Sequence, residues 1–125
     1  GIIIKDNHLA CSINLSNTIH NIRKAFPSKP IQVEIDSIDQ LYTILEFNID
    51  AVLLDNMDKQ QTLACVRYIR QHKEKSQIFI ESSGGINLDN IHLYADTGVD
   101  GISIGALTHQ AVSANITLEL SHVNP

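Results

Sequence analysis

Five short apolar runs recur along this 125-residue chain, and each delivers a polar residue or a glycine at its C-terminal end. The runs are Ile2-Ile3-Ile4, Ile31-Gln32-Val33, Val52-Leu53-Leu54, Ile78-Phe79-Ile80 and Ile102-Ser103-Ile104, and the end positions are Lys5, Glu34, Asp55, Ser83 and Gly105. These end positions are separated by 29, 21, 28 and 22 residues, the length that one strand, one crossover helix and two short loops require. The repeat therefore predicts parallel strands that alternate with helices.

The segments between the runs have the apolar spacing of amphipathic helices. The first helix is predicted over Asn14 to Phe26, and the second follows Ser37, a good N-cap residue. A third is predicted over Asp58 to Lys75, and a fourth contains Leu88 and stops at Gly98. The later strands are then expected at 31–36, 51–54, 77–82 and 99–104.

The length of the chain limits how complete this architecture can be. A closed barrel of eight such units takes ~250 residues, and 125 residues make about half of one. The predicted fold class is α/β, a partial (β/α) barrel of about five parallel strand-helix units in one domain over residues 1–125. The alternation of apolar and polar residues at 116–121 adds a tail strand or a sheet edge.

Composition excludes several classes of function. The net charge of −5, with the Lys and Arg residues scattered, argues against nucleic-acid binding. No apolar stretch is long enough for a membrane span, and nothing at the start reads as a targeting signal. Cys11 and Cys65 are far apart and in no metal-binding spacing, so we expect reduced thiols in a cytoplasmic protein.

Three charged residues end successive predicted strands. Lys5, Glu34 and Asp55 should converge on one rim, because parallel strands bring their C-terminal ends together. A divalent metal would let both carboxylates stay ionised and would attract phosphate oxygens, and Mg²⁺ suits that arrangement. The alternative is that the two acids cap the helices that follow them and that Lys5 is a solvated surface charge.

Glycine-containing turns follow the last two predicted strands. Ser83-Gly84-Gly85 and Gly105-Ala106 would let backbone N–H groups approach an anion, beside the positive end of the next helix. Paired loops of this kind form the phosphate site that recurs in such barrels. The alternative is ordinary turn chemistry.

Five motifs, in this order, closely resemble the C-terminal part of the quinolinate phosphoribosyltransferases of NAD synthesis. They are Ile4-Lys5-Asp6-Asn7-His8, Val33-Glu34-Ile35-Asp36-Ser37, Leu54-Asp55-Asn56-Met57, Glu81-Ser82-Ser83-Gly84-Gly85-Ile86, and the run from Gly98 through Gly105 and Ala106 to His109. The resemblance covers nearly the whole chain. It implies that the chain is the C-terminal part of a TIM-like barrel.

The resemblance also implies a reaction. In this family, quinolinate and 5-phosphoribosyl pyrophosphate combine, with Mg²⁺, to give nicotinate mononucleotide, CO₂ and pyrophosphate. By the same motifs, Lys5 would contact a substrate carboxylate or phosphate, and Glu34 and Asp55 would serve the metal, the pyrophosphate and the ribose hydroxyls. These three are the expected catalytic residues. The ribose 5-phosphate would be held by Ser83, Gly84, Gly85, Gly105 and Ala106.

The motifs leave part of the family pattern unmatched. The N-terminal domain, the first barrel strands and the arginine- and histidine-rich motifs that bind the quinolinate carboxylates have no counterpart here. Family members are dimers with sites shared between subunits, so we expect a homo-oligomer and little or no activity from this chain alone. Exposed apolar strands and open sheet edges also predict self-association.

Two alternative functions stay open at this point. A related transferase acting on nicotinate or another pyridine would carry the same phosphate and metal residues. A non-catalytic half-barrel that binds phosphorylated ligands, or that assembles with another chain, would show the same glycine turns.

Overall fold

The structure, a computed structural model, describes residues 1–5 and 14–105. Its strands are β1 (Ile2–Ile4), β2 (Ile31–Ile35), β3 (Ala51–Asp55), β4 (Phe79–Ser83) and β5 (Gly101–Ile102). Its helices are α1 (Leu15–Ala25), α2 (Ile38–Ile44), α3 (Lys59–Gln71) and α4 (Ile91–Ala95), with a 3₁₀ turn at Lys73–Lys75. None of the described helices is long and apolar enough to cross a membrane.

All five strands form one parallel sheet in the order β1-β2-β3-β4-β5. Ile4, Val33, Val52 and Ile80 lie in one row across the first four strands. The alternation of parallel strands and helices that the repeat predicted is therefore confirmed. Since all strands run the same way, their C-terminal ends meet at one edge of the sheet, called the C-terminal edge below.

Helices cover one face of this sheet. The first, third and fifth residues of β2, Ile31, Val33 and Ile35, are fully buried. They pack in one core with helix residues that include Ile19, Leu41, Ile44, Cys65 and Ile69. Burying an aliphatic side chain of this size stabilises a fold by about 1.5–3 kcal/mol, so this layer is the main source of stability.

Cys65 lies within this core as a free thiol. Burial raises the pKa of its thiol to about 11, and its Sγ lies 3.7 Å from the sulfur of Met57. For this cysteine the expectation of a reduced thiol agrees with the structure. Cys11 lies outside the described residues.

The other face of the sheet, called the open face below, carries the alternate strand residues. Ile3 of β1 and Phe79 of β4 are each 47% exposed there, whereas Ala51, in the register row between them, is buried. The polar residues Gln32 and Glu81 share this face through the strand register. In the described part of the chain, the open face thus presents apolar side chains and polar groups side by side.

Two arginine-aspartate pairs fasten the opposite, N-terminal edge of the sheet. Arg23 of α1 binds Asp50, which directly precedes β3, at 2.7 Å. The same Asp50 oxygen accepts the N–H of Ile31, at the start of β2, at 2.7 Å. Each pair therefore ties a helix and the starts of two strands together.

The second pair repeats this arrangement. Arg70 of α3 binds Asp100, which directly precedes β5, and the same Asp100 oxygen accepts the N–H of Ile80 in β4 at 2.7 Å. Arg70 also donates to the backbone oxygens of Ser76 and Ile78. Both arginines lie on helices, and both serve the fold away from the C-terminal edge.

Several element boundaries differ from the sequence prediction. The helix predicted to reach Lys75 ends at Gln71, because the chain turns back at His72. β5 is only Gly101–Ile102, shorter than the predicted 99–104. The predicted tail strand at 116–121 lies outside the described residues.

We expect Asp50→Asn to lower the free energy of unfolding by about 1 kcal/mol at neutral pH. Partial burial acts to raise the pKa of Asp50, but the Ile31 N–H, the Arg23 hydrogen bond and the Arg23 charge outweigh it and bring the pKa below its ordinary 3.8. The stability from ionised Asp50 is therefore present above that value and is lost as the pH falls through the lowered pKa.

Urea unfolding of both proteins across acidic pH tests this prediction. The difference between wild type and Asp50→Asn should vanish at the acid end. Asp96→Asn, at an exposed aspartate, is the matched control and should show no such convergence. An equal difference at every pH would contradict the assignment of the effect to ionised Asp50.

Candidate functional site

Asp55 and Ser83 lie side by side at the C-terminal edge of the sheet. They are the last residues of β3 and β4, and they are direct register partners. Both are half-buried. The parallel register thus places a carboxylate next to the start of the glycine turn, as the positions of the apolar runs predicted.

Glu34 and Lys5 lie two register positions further from the edge. Glu34 is inside β2, not beyond its end, and pairs with Leu53. The expectation that Glu34 ends its strand is therefore wrong by one residue, although the strand predicted at 31–36 already included it. Strand spacing and rise put the Cα atoms of Glu34 and Asp55 roughly 8 Å apart on the same face. Lys5 follows Ile4, the partner of Val33, and so continues the row of Glu34.

The turns after β4 and β5 line one shared cavity of about 350 Å³. Its walls are Ser83, Gly84, Gly85, Ile86, Asn87 and Gly105. Gly84 and Gly85 adopt positive φ angles of 84° and 63°, which glycine adopts at little cost. Ala106, which was expected to join this group, lies outside the described residues.

Two asparagines fix the far wall of the cavity. The side chain of Asn87 accepts the N–H groups of Asp89 and Asn90, at 2.9 and 3.1 Å. Asn90 in return accepts the N–H of Asn87 at 2.8 Å and donates to the backbone oxygen of Gly85 at 2.9 Å. This reciprocal pairing holds the glycine turn in place against the segment that leads into α4.

Asn56 joins the loop after β3 to the glycine turn. Its N–H donates to the backbone oxygen of Ser83 at 2.9 Å, and its side-chain amide donates to Asp55 Oδ2 at 2.9 Å. A Cβ on Gly84 would lie 2.6 Å from Asn56 Cγ and 2.7 Å from its backbone nitrogen. Gly84 is therefore required here for space as well as for its φ angle.

Residues 1–119 match the model of the family described as "Quinolinate phosphoribosyl transferase, C-terminal domain". The chain belongs to this family. The fold is thus that of a C-terminal domain of the quinolinate phosphoribosyl transferase family. The resemblance inferred from the five motifs is confirmed.

Individual relatives agree with this assignment. The chain is 39% identical over 118 residues to a nicotinate-nucleotide pyrophosphorylase (carboxylating) of Mycobacterium leprae, covering 94% of this chain and 41% of the relative. A probable enzyme of the same name from Methanothermobacter thermautotrophicus is 35% identical, with 94% and 43% covered. The chain therefore spans about two fifths of the length of these relatives.

A solved structure supports the fold. The nicotinate-nucleotide pyrophosphorylase of Ehrlichia chaffeensis matches with a TM-score of 0.77 at 35% identity, over 88% of this chain and 38% of that one. The matched part contains the parallel strands and alternating helices described above. The expected α/β fold class, with parallel strands that alternate with helices, is confirmed.

The carboxylates at the C-terminal edge are not the caps of the helices that follow them. Asp58 caps α3 in a reciprocal capping box with Gln61, and Ser37 is the N-cap residue of α2. The alternative that Glu34 and Asp55 serve as helix caps is therefore wrong. Helix capping therefore does not account for their placement at the edge.

The donor set of this edge fits Mg²⁺ only together with a phosphorylated ligand. Within the described residues, no three His, Cys, Asp or Glu side chains come together as a metal cluster. Mg²⁺ commonly binds one or two carboxylates and completes its shell with water and substrate phosphate oxygens. Glu34 and Asp55 are the carboxylates of this edge that suit that mode of binding.

Glu81 is a polar residue of the open face whose contacts the sequence did not predict. It lies on the open face and accepts hydrogen bonds from Gln32 Nε2 at 2.7 Å and from the hydroxyl of Ser103. The signal was present in the sequence, because these three polar residues interrupt apolar strands at positions that the register brings to one face. Recognising it required the register, which the sequence alone did not supply.

We expect Gly84→Ala to lower the free energy of unfolding by about 2 kcal/mol or more, since the new Cβ collides with the Asn56 backbone as well as adopting a disfavoured φ. Gly85→Ala is the matched control. Its φ is also positive, but the nearest atom of Asn56 would be 4.0 Å away, so we expect about 1 kcal/mol. Urea unfolding measures both, and equal losses would contradict the steric role of Asn56.

Proposed function

We propose that this chain is the part of a quinolinate phosphoribosyltransferase that binds 5-phosphoribosyl pyrophosphate. The complete reaction joins this substrate to quinolinate and yields nicotinate mononucleotide, CO₂ and pyrophosphate. The observation that carries the proposal is the cavity between the turns after β4 and β5, with the Asp55 carboxylate beside it at the C-terminal edge. A phosphate would then bind in the cavity, and the sugar attached to it would lie near the Asp55 carboxylate.

The cavity is assigned to the ribose 5-phosphate. Gly84 and Gly85 line the cavity with positive φ angles, and glycine turns of this kind can form the concave backbone sites that bind phosphate. The absence of a side chain at either glycine lets the phosphate oxygens approach the backbone. We assign the ribose 5-phosphate to this set of residues: Ser83, Gly84, Gly85, Gly105 and Ala106.

The charged residues are assigned to the ribose and the diphosphate. Loss of pyrophosphate leaves positive charge on the ribose ring, and the carboxylates of Glu34 and Asp55 would stabilise that charge and orient the ribose hydroxyls. Mg²⁺, when bound with the diphosphate, supplies positive charge to the leaving group. Lys5, in the row of Glu34, is assigned to a substrate phosphate or carboxylate.

Apart from any contact with Lys5, recognition of quinolinate is assigned to residues other than those described. Its two carboxylates call for cations, but Arg23 and Arg70 are engaged with Asp50 and Asp100 at the opposite edge of the sheet. The family relatives are more than twice as long as the part that this chain matches. We expect the 125-residue chain alone to have little or no activity, in a protein of the cytoplasm.

The open face supports a further part of the proposal, namely that the sheet belongs to a TIM-like barrel and that the protein is a homo-oligomer. Ile3 and Phe79 are half exposed on this face, and exposed apolar strand residues favour association in water.

We therefore expect self-association of the 125-residue chain in light scattering at micromolar concentration. Phe79→Ser should weaken it, with Leu88→Ser, at another exposed apolar side chain, as the control. A monodisperse wild-type monomer would contradict this expectation.

Binding measurements on the 125-residue chain test the ligand assignment. Ribose 5-phosphate should shift the NMR amide resonances of Gly84, Gly85 and Gly105, and 5-phosphoribosyl pyrophosphate should bind more tightly when Mg²⁺ is present. Asp55→Asn should weaken the Mg²⁺-dependent binding about tenfold, the loss of one good interaction, and leave ribose 5-phosphate binding within about twofold.

Asp96→Asn is the control and should change neither affinity. Shifts confined to other parts of the chain would contradict the phosphate assignment. Binding of ribose 5-phosphate without any effect of Mg²⁺ or Asp55 would favour the non-catalytic phosphate-binding alternative. Turnover by the chain alone at a rate near that of a full-length relative would contradict the expected lack of activity.

A further inference from the structure

Asn56 contacts both halves of the proposed substrate site. Its side-chain amide donates to Asp55 Oδ2 at 2.9 Å, on the side assigned to ribose and diphosphate. Its backbone N–H donates to the Ser83 oxygen at 2.9 Å, on the side assigned to the 5-phosphate. A single residue thus bonds to the carboxylate and to the start of the glycine turn.

The contact with the glycine turn is also steric. The space that a Cβ on Gly84 would need is filled by Asn56, with Cγ at 2.6 Å and the backbone nitrogen at 2.7 Å from that position. Any change in the path of the turn at Gly84 therefore displaces Asn56. Because the same side chain holds Asp55 Oδ2, that displacement reaches the carboxylate.

The backbone conformation of Asn56 indicates that its side chain has a role beyond shaping the turn. Its φ is 52°, and within residues 1–5 and 14–105 no other non-glycine residue has a positive φ. Glycine adopts this conformation more readily than asparagine. Asparagine tolerates it, and supplies an amide donor that glycine lacks.

We propose that Asn56 is a positioning residue that couples phosphate binding at the glycine turn to diphosphate binding at Asp55. This inference rests on the proposed function, because it concerns the same site.

The coupling acts through order. A phosphate in the cavity orders the turn, the turn fixes Asn56, and Asn56 fixes the Asp55 carboxylate for the second ligand. The first ligand then accounts for the conformational entropy lost when Asp55 is ordered, so the second ligand binds more tightly.

The coupling can be measured with two probes on the 125-residue chain, ribose 5-phosphate for the glycine turn and Mg²⁺-pyrophosphate for Asp55. In the wild type, each probe should raise the affinity for the other by about fivefold or more. Asn56→Gly keeps the positive φ but removes the amide and its contact with Gly84, so the two affinities should become independent. Asn56→Asp keeps the shape beside Gly84 but cannot donate to Asp55, so it should also lose the coupling. Asn48→Gly, on a distant exposed loop, is the control.

A ligand-free measurement separates this inference from the proposed function. Asp55→Ala should shift the amide resonances of Gly84 and Gly85 in the wild-type background and shift them much less in the Asn56→Gly background. Equal shifts in both backgrounds, or coupling that survives Asn56→Gly, would overturn the role of Asn56. If neither probe binds the wild type while the resonance shifts depend on Asn56, the proposed function fails and the positioning role stands.

Discussion

The parallel register of β2, β3 and β4 is the constraint on which the rest of the structure depends. It puts Val33, Val52 and Ile80 in one buried row, and it also puts Asp55 beside Ser83 at the edge. A slip of one residue would send the apolar side chains to the open face and separate the carboxylate from the glycine turn. The same pairing therefore determines the core and the candidate site.

The two edges of the sheet use charge differently. At the N-terminal edge, Asp50 forms an ion pair with Arg23 and accepts a hydrogen bond from a strand N–H, so its charge stabilises the fold. At the C-terminal edge, Asp55 accepts a hydrogen bond from the neutral amide of Asn56. A neutral donor orients a carboxylate without cancelling its charge, which keeps it suited to a cationic ligand. This division parallels the separation of stability and function between the two ends of parallel barrels.

The repeat of apolar runs predicted most of the fold, because a period of one strand and one helix leaves few other arrangements. It predicted Asp55 and Ser83 as edge residues for the same reason. It put Glu34 at a strand end, whereas Glu34 is the fourth of the five residues of β2, because an apolar run does not mark where a strand stops. It gave no sign of the end of α3, since no glycine or proline follows Gln71 where the backbone leaves the helical conformation at His72. The roles of Asn56 and Glu81 depend on residues that only the register brings together.

The open face carries side-chain contacts that are typical of a protein interior. Glu81 is half-buried there, and both of its carboxylate oxygens accept hydrogen bonds, from Gln32 and from Ser103. A carboxylate on a water-facing sheet needs no such partners, because water solvates it. Under a cover, an unpaired carboxylate would be costly, and two donors offset much of that cost. The pairing of Glu81, beside the apolar Leu53 and Phe79, is therefore the strongest reason in the described residues to propose that further strands or a second subunit cover this face.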